Sequence, residues 1–448
     1  MTFSFRNYTL LASLGMALLG CVPLGEPITG ESNTSTVTRS PEYYAKRTLR
    51  YEDFIYSDQI KTVQCYAGTG TAEEVLTAPV ISIEQGVPVV LEFDELSTDQ
   101  KRFKVKLVHC DYNWQPSNLA DIQFATDYNE YYITDIRPSG NTKVPYFHYR
   151  FVVPRVKISG NYLLSVADED GSYVLTRRIM VYENVVAASL KPTLSAGVGE
   201  RFSMQQFDIN ILYPKYSLVN PTQEVKIVLR QNQRWDNAKF NIRPTYVHDA
   251  QRRLEYTFFD ARNNFFGLNE FRVFDTRSLR YTGFNLASIN READPTEVLL
   301  QVQKNRSKEA YARYPEINGK YIIENREYGS GNTEGDYAWV NFQLKADEKA
   351  PGDVYVFGQL SEWKLQEQFR MNYEQDKQLY TGRALLKQGY YNFMFALKTG
   401  ANLPDERYFE NSFADTENFY DLLVYYRPPG GRADLLISYV AQHVNSNR

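Results

Sequence analysis

Histidine and cysteine are nearly missing from this chain of 448 residues, which holds four of the first and three of the second. Metal centres and activated nucleophiles draw heavily on those two residue types, so the scope for such chemistry is narrow. Three cysteines, Cys21, Cys65 and Cys110, are too few for a disulfide framework, and none sits in a Cys-x-x-Cys pair. Basic excess is missing too. Fifty lysines and arginines against 54 acids give a net charge of −4, without the cationic face that a nucleic acid demands. Beyond residue 20 no apolar run is long enough to cross a bilayer, in keeping with a mean hydropathy of −0.48. The Gly-x-Ser-x-Gly elbow, His-Glu-x-x-His and the Gly-x-x-x-x-Gly-Lys loop do not occur. The sequence therefore reads as non-catalytic, with no cofactor implied.

What is abundant is aromatic: 35 tyrosines and 26 phenylalanines, side chains that suit a pleated, half-buried surface. The expected fold class is all-β, as three consecutive β-sandwich domains. Runs at 87–95, 104–111, 146–154, 160–167 and 173–182 read as strands of a first domain over 43–184. Asp168-Glu169-Asp170-Gly171 lacks the ligand spacing of a calcium loop and reads as the hairpin turn between the last two. A second domain is expected over 185–327, from runs near 207–213, 225–231, 253–259, 269–275 and 298–302. Residues 328–335, Tyr-Gly-Ser-Gly-Asn-Thr-Glu-Gly, read as a linker. A third domain follows over 336–440, with a tail at 441–448.

The amino terminus carries an address. Residues 1–8 hold one cation, Arg6, and residues 9–19 form a short apolar run. It ends in Leu18-Leu19-Gly20-Cys21, which resembles the bacterial lipobox. That resemblance implies a signal peptide over 1–20, cleavage between Gly20 and Cys21, and diacylglycerol on the Cys21 thiol. Several acyl chains together anchor lastingly where one would not. Val22 stands where an aspartate would retain a lipoprotein in the inner membrane, and Val22-Pro23-Leu24-Gly25 lacks the acidic run of surface-export signals. The expected place is the periplasmic face of the outer membrane. Residues 21–42 read as a tether spanning about 25 Å as a coil and up to roughly 66 Å extended.

Candidate sites are few. His109, Asp111 and His148 are ligand types without ligand spacing, and read as structural residues. Asp94 and Glu95 are adjacent on a strand and so face opposite ways, which suits a solvated strand end better than a glycosidase pair. Cys65 and Cys110 could pair in an oxidising compartment, a question their spacing leaves open. Trp114, Tyr128, Tyr131 and Tyr132 lie in a polar, loop-like stretch; they are candidate anchors for a partner, or else caps on the first domain's core. Asp353 to Trp363, Arg370-Met371 and Leu386 to Phe393 resemble early-set immunoglobulin-like modules that bind glycogen and starch. That likeness implies Trp363 as a sugar-stacking ring, although only Tyr408 and Phe409 stand where such modules place a second tryptophan.

Longer blocks carry a second resemblance. Val108-His109-Cys110-Asp111-Tyr112-Asn113-Trp114, Tyr146-Phe147-His148-Tyr149-Arg150-Phe151, Gln231-Asn232-Gln233-Arg234-Trp235-Asp236-Asn237 and Leu423-Val424-Tyr425-Tyr426-Arg427-Pro428-Pro429-Gly430 are similar to the type IX secretion system plug proteins of the Bacteroidetes. The resemblance implies a lipoprotein beside the giant outer-membrane β-barrel translocon, closing its periplasmic mouth when no cargo is present. The alternative reading is a carbohydrate-binding envelope lipoprotein that uses its C-terminal module.

Overall fold

The computed structural model describes residues 46–400 and 403–446. The expected signal peptide, Cys21 and the tether lie outside them. Strands dominate, and the helices Asp121–Phe124, Pro221–Glu224 and Gly331–Glu334 are each a single turn. The chain is all-β and built of sandwiches. Among the described residues no helix is long and apolar enough to cross a membrane.

In the first sandwich, Phe54–Ile55, Tyr173–Tyr182, Gly160–Ala167, Lys104–Cys110 and Tyr131–Tyr132 form one sheet; Val80–Ser82 adds in parallel to Tyr173–Tyr182. Ile60–Ala67, Val89–Glu95, Phe147–Val152 and Asp135–Pro138 form the other. Inward residues such as Leu91, Phe93, Leu107, Leu164 and Ile179 meet between them. The five strands expected here are all present. The turn at 168–171 closes with the Gly171 N–H donating to the Asp168 carbonyl and a Gly171 φ of +78°, a conformation cheap only for glycine.

The second sandwich packs Ala187–Thr193, Met204–Leu212, Arg253–Tyr256 and Tyr246–His248 against Val225–Gln231, Asn418–Tyr426 and Leu435–Val444. Alternation is visible in Met204–Leu212, where Phe207, Ile209 and Ile211 point into the core and Asp208 and Asn210 point away. In the third, a ten-stranded sheet runs from Arg272–Asp275 through Gly389–Lys398, Val354–Phe357, Arg370–Glu374, Leu379–Lys387, Tyr337–Lys345 and Glu297–Leu300 to Leu286–Asn290, with Tyr321–Ile323 and Pro404–Asp405 also pairing with Gly389–Lys398. It wraps one apolar core that includes Phe274, Phe342, Val356 and Phe393.

The sheets do not divide where the sequence suggested. Arg272–Asp275 and Tyr321–Ile323, expected in the second domain, pair with Gly389–Lys398 of the third. Glu297–Leu300 pairs in parallel with Tyr337–Lys345. Conversely, Asn418–Tyr426 and Leu435–Val444 leave the expected third domain to complete the second, through Val225–Gln231. The third sandwich is thus inserted into the second, because alternation marks a strand without naming its partner. The expected linker at 328–335 is also a packed segment. A Cβ on Gly331 would lie 2.9 Å from the Glu324 Cα, and one on Gly335 would lie 2.5 Å from the Gly331 carbonyl oxygen, so these glycines serve close approach.

Asn418–Tyr426 is buried on both faces. Tyr420, Leu422 and Val424 enter the second core, while Leu423 and Tyr425 pack with Leu163, Met180 and Trp114 of the first sandwich. The described residues all belong to one compact unit.

Candidate functional site

Where the first and third sandwiches meet, charge is buried. Asp94 and Glu95, expected at a solvated strand end, are 0% and 1% exposed. Lys387 Nζ donates to Asp94 Oδ2 at 2.6 Å, the Tyr337 hydroxyl donates to the same oxygen at 2.8 Å, and His148 Nδ1 lies 2.8 Å from Asp94 Oδ1. Glu92 accepts from the Tyr66 hydroxyl at 2.9 Å and faces Arg150 at 3.3 Å. Burial pushes the Asp94 carboxyl up, but the Lys387 charge and His148 outweigh it and hold the group below its usual range. Burial likewise works against charge on His148, and the hydrogen bond to Asp94 and the Glu92 carboxylate 3.8 Å from Nε2 raise it nonetheless. Each ion is spent on another ion of the chain, so the set cements an interface and does not present a base to a substrate.

A second cluster joins all three bodies. Trp114, read from the sequence as either a partner anchor or a cap on the first domain's core, is 2% exposed. Its indole meets Trp235 edge to face at 5.1 Å, and the Arg178 guanidinium lies over both rings at 4.8 and 5.1 Å. Arg230 covers Trp235 at 4.3 Å and forms a fork with Asp421, with N···O distances of 2.9 and 2.5 Å. Arg234 binds Asp236 and Glu406 and lies 4.2 Å over Trp363. Such stacks gain about 2 kcal/mol each where water is excluded.

That arrangement removes Trp363 from service as a sugar platform. One face is taken by Arg234, while Phe271 and Phe357 meet the ring edge to face at 5.9 and 5.7 Å. Trp363→Ala is expected to cost about 3 kcal/mol of stability by opening a cavity, with no change in glucan pull-down; thermal denaturation and the pull-down check it. Against this second cluster lies a cavity of about 390 Å³ bordered by Arg177, Arg178, Lys320, Glu362 and Cys65. Burial pushes the Lys320 ammonium down to about 7.

His109 is a packed residue: its Nδ1 lies 3.0 Å from the Ser117 hydroxyl, and burial lowers its pKa to about 4. Asp111 pairs with Arg427 at 2.7 Å. Among the described residues no cluster of histidine, cysteine, aspartate or glutamate could hold a metal ion. Cys65 and Cys110 are free thiols, both pushed up to about 12 by burial.

Of the four aromatic candidates, two face solvent. Tyr128 is 81% exposed and Tyr132 52%, and Ile122 in the same stretch is 79% exposed. Tyr131 instead packs on the first core, its ring 6.1 Å from that of Phe151. Asn129 fixes the segment, accepting from the Leu107 N–H at 3.0 Å and donating to the Leu107 carbonyl at 2.8 Å. The exposed rings therefore stand on a braced loop. Ile122 was missed because one apolar residue on a one-turn helix makes no pattern.

Residues 60–183 match the family model described as type 9 secretion system plug protein 1st domain. The match spans most of the first sandwich. A crystal structure of a hypothetical protein from Parabacteroides merdae ATCC 43184 is similar at 28% identity and a TM-score of 0.81, over 89% of this chain and 100% of that one. No curated protein matches the chain.

Proposed function

We propose, from a chain that belongs to the type IX secretion system plug family through its first domain, that it works by obstruction: it closes the periplasmic opening of the outer-membrane translocon barrel while cargo is absent. The single observation that carries this reading is the family match over residues 60–183. The physics of the body supports it. A pore wide enough for folded cargo leaks unless its stopper is rigid, and the buried Lys387–Asp94 pair, the Trp114–Trp235 contact and Arg234 stacked on Trp363 lock the three sandwiches against one another. A lipid on Cys21 would hold this body on the periplasmic face of the outer membrane and raise its effective concentration at the mouth without any new contact.

A reversible stopper needs a moderate, wet interface with a few aromatic anchors. Ile122, Tyr128 and Tyr132 on the first domain supply such a patch, in place of Trp114 and Tyr131. Affinity purification of the tagged protein from its own outer membrane is expected to recover a very large barrel protein from cells not exporting cargo. Tyr128→Asp with Tyr132→Asp is expected to reduce that recovery about tenfold, as the loss of two interface anchors would. Recovery of no large barrel, with cargo or without, overturns the reading.

A further inference from the structure

The largest exposed apolar side chains of the second sandwich gather at one end of it. Leu194, Val198 and Phe202, on the connection between Ala187–Thr193 and Met204–Leu212, are 74%, 72% and 82% exposed; Phe259, just beyond Arg253–Tyr256, is 71% exposed. Hydrogen bonds hold the two connections together. Asn264 Nδ2 donates to the Ser195 hydroxyl at 2.9 Å, the Ala196 N–H donates to Gln206 Oε1 at 3.0 Å, and Gln206 Nε2 donates to the Phe258 carbonyl at 2.9 Å. The Phe202 carbonyl accepts from the Ala414 N–H at 2.8 Å. The backbone beneath the four side chains is thus tied down on both sides, and their exposure is built in.

We propose that this crest enters the interfacial region of a phospholipid bilayer. Two observations select lipid as the occupant. First, charge around the crest is balanced: Arg262 pairs with Asp260 at 2.6 Å, Lys191 stands opposite Asp208 in the sheet register, and Arg201 adjoins Glu200. These neighbouring pairs carry both signs and so complement zwitterionic headgroups, which carry both signs themselves, while projecting side chains exposed beyond two thirds fit a deformable medium. Second, the described chain begins at Lys46, 25 residues after Cys21, a length that extends to roughly 80 Å, so an acylated terminus would keep the crest within reach of the bilayer. The four side chains would make the lipid a second point of attachment and set the tilt of the body against the membrane. This inference goes beyond the plugging role and does not rest on it.

The test uses the full chain carrying Cys21→Ser, which has no acyl group, mixed with vesicles of phosphatidylethanolamine and phosphatidylcholine. The protein is expected to float with the vesicles, and raising salt to about 1 M is expected to change the bound fraction less than about twofold, since apolar insertion is not screened. Phe202→Asp with Phe259→Asp is expected to weaken partitioning at least tenfold, given roughly a tenfold loss for each large side chain left in water. Tyr281→Asp with Phe284→Asp, at a separate exposed pair, is expected to leave it unchanged, and thermal denaturation verifies that both variants fold. No flotation at any lipid concentration, or equal flotation by the crest variant, overturns the proposal; loss of barrel recovery by the crest variant without vesicle binding assigns the crest to protein and overturns it too.

Discussion

Glu410→Gln is expected to destabilise the folded body by about 3–5 kcal/mol, because it strands two buried guanidinium groups at once. Glu410 is 0% exposed. One carboxyl oxygen accepts from Arg272 Nε at 2.9 Å and from the Phe395 N–H at 3.0 Å; the other accepts from Arg272 Nη2 at 3.0 Å and Arg306 Nε at 2.7 Å. Burial pushes this carboxyl up, but Arg272 and Arg306 prevail and bring it down to about 2, from an ordinary 4.5. A carboxyl depressed by folding contributes stability that is fully present above the unfolded value and fades as pH falls through the folded one. The wild-type protein should therefore lose on the order of 3 kcal/mol from this group between about pH 5 and pH 2. The Gln variant should lack that part of the acid slope. Urea midpoints at neutral pH and at about pH 3 decide it; a variant as stable as wild type at neutral pH contradicts the argument.

Lys387→Met is expected to cost a similar 3–5 kcal/mol, and to loosen the first sandwich from the third. The ammonium is 1% exposed, bound to Asp94 and to the Asn332 carbonyl at 2.7 Å, and it lies 4.1 Å over the Tyr146 ring. Methionine keeps the apolar stem and removes the charge. Asp94 would then face burial with His148 as its nearest cation, and its carboxyl would rise. A carboxyl raised by folding stabilises below its unfolded value and ceases to do so as pH climbs. The variant should accordingly recover part of its deficit in mild acid, opposite in sign to the Glu410 effect. A denaturant series at two pH values reads this directly, and a cost under about 1 kcal/mol at neutral pH would show that the pair carries no such weight.

Much of the fold was legible because the first sandwich follows the rule that one strand face is apolar. Its five expected strands appear within two residues of their anticipated ends. The same rule misled at Val89–Glu95, where Glu92 and Asp94 alternate with Leu91 and Phe93: charged residues on the second face look solvated, yet that face meets the third sandwich. Its partners there, Tyr337 and Lys387, lie 243 and 293 residues away. Trp114 shows the same limit. Its neighbours Asp111, Asn113 and Gln115 are polar and suggest an exposed loop, but a φ of +65° turns the indole inward onto Trp235, in another sandwich. Tyr128 and Tyr132, whose surroundings are local, are exposed, as their polar stretch suggests; Trp363, read by likeness to sugar-binding modules, had an arginine waiting from 129 positions upstream. What sequence conceals here is contact between distant segments, and the candidate sites depend on it.

The interleaving of the second sandwich has a consequence for how the protein is made. Arg230 and Asp421 are 191 positions apart, so a chain delivered amino end first holds Val225–Gln231 without its neighbour strand until the final stretch arrives. During that interval an apolar strand edge is open to other chains, the circumstance in which newly made proteins clump or require an escort. A product cut short before residue 418 would lack two strands of that sheet and leave its core uncovered. Completion of synthesis thus acts as a checkpoint, and only the finished molecule can close up and take its post.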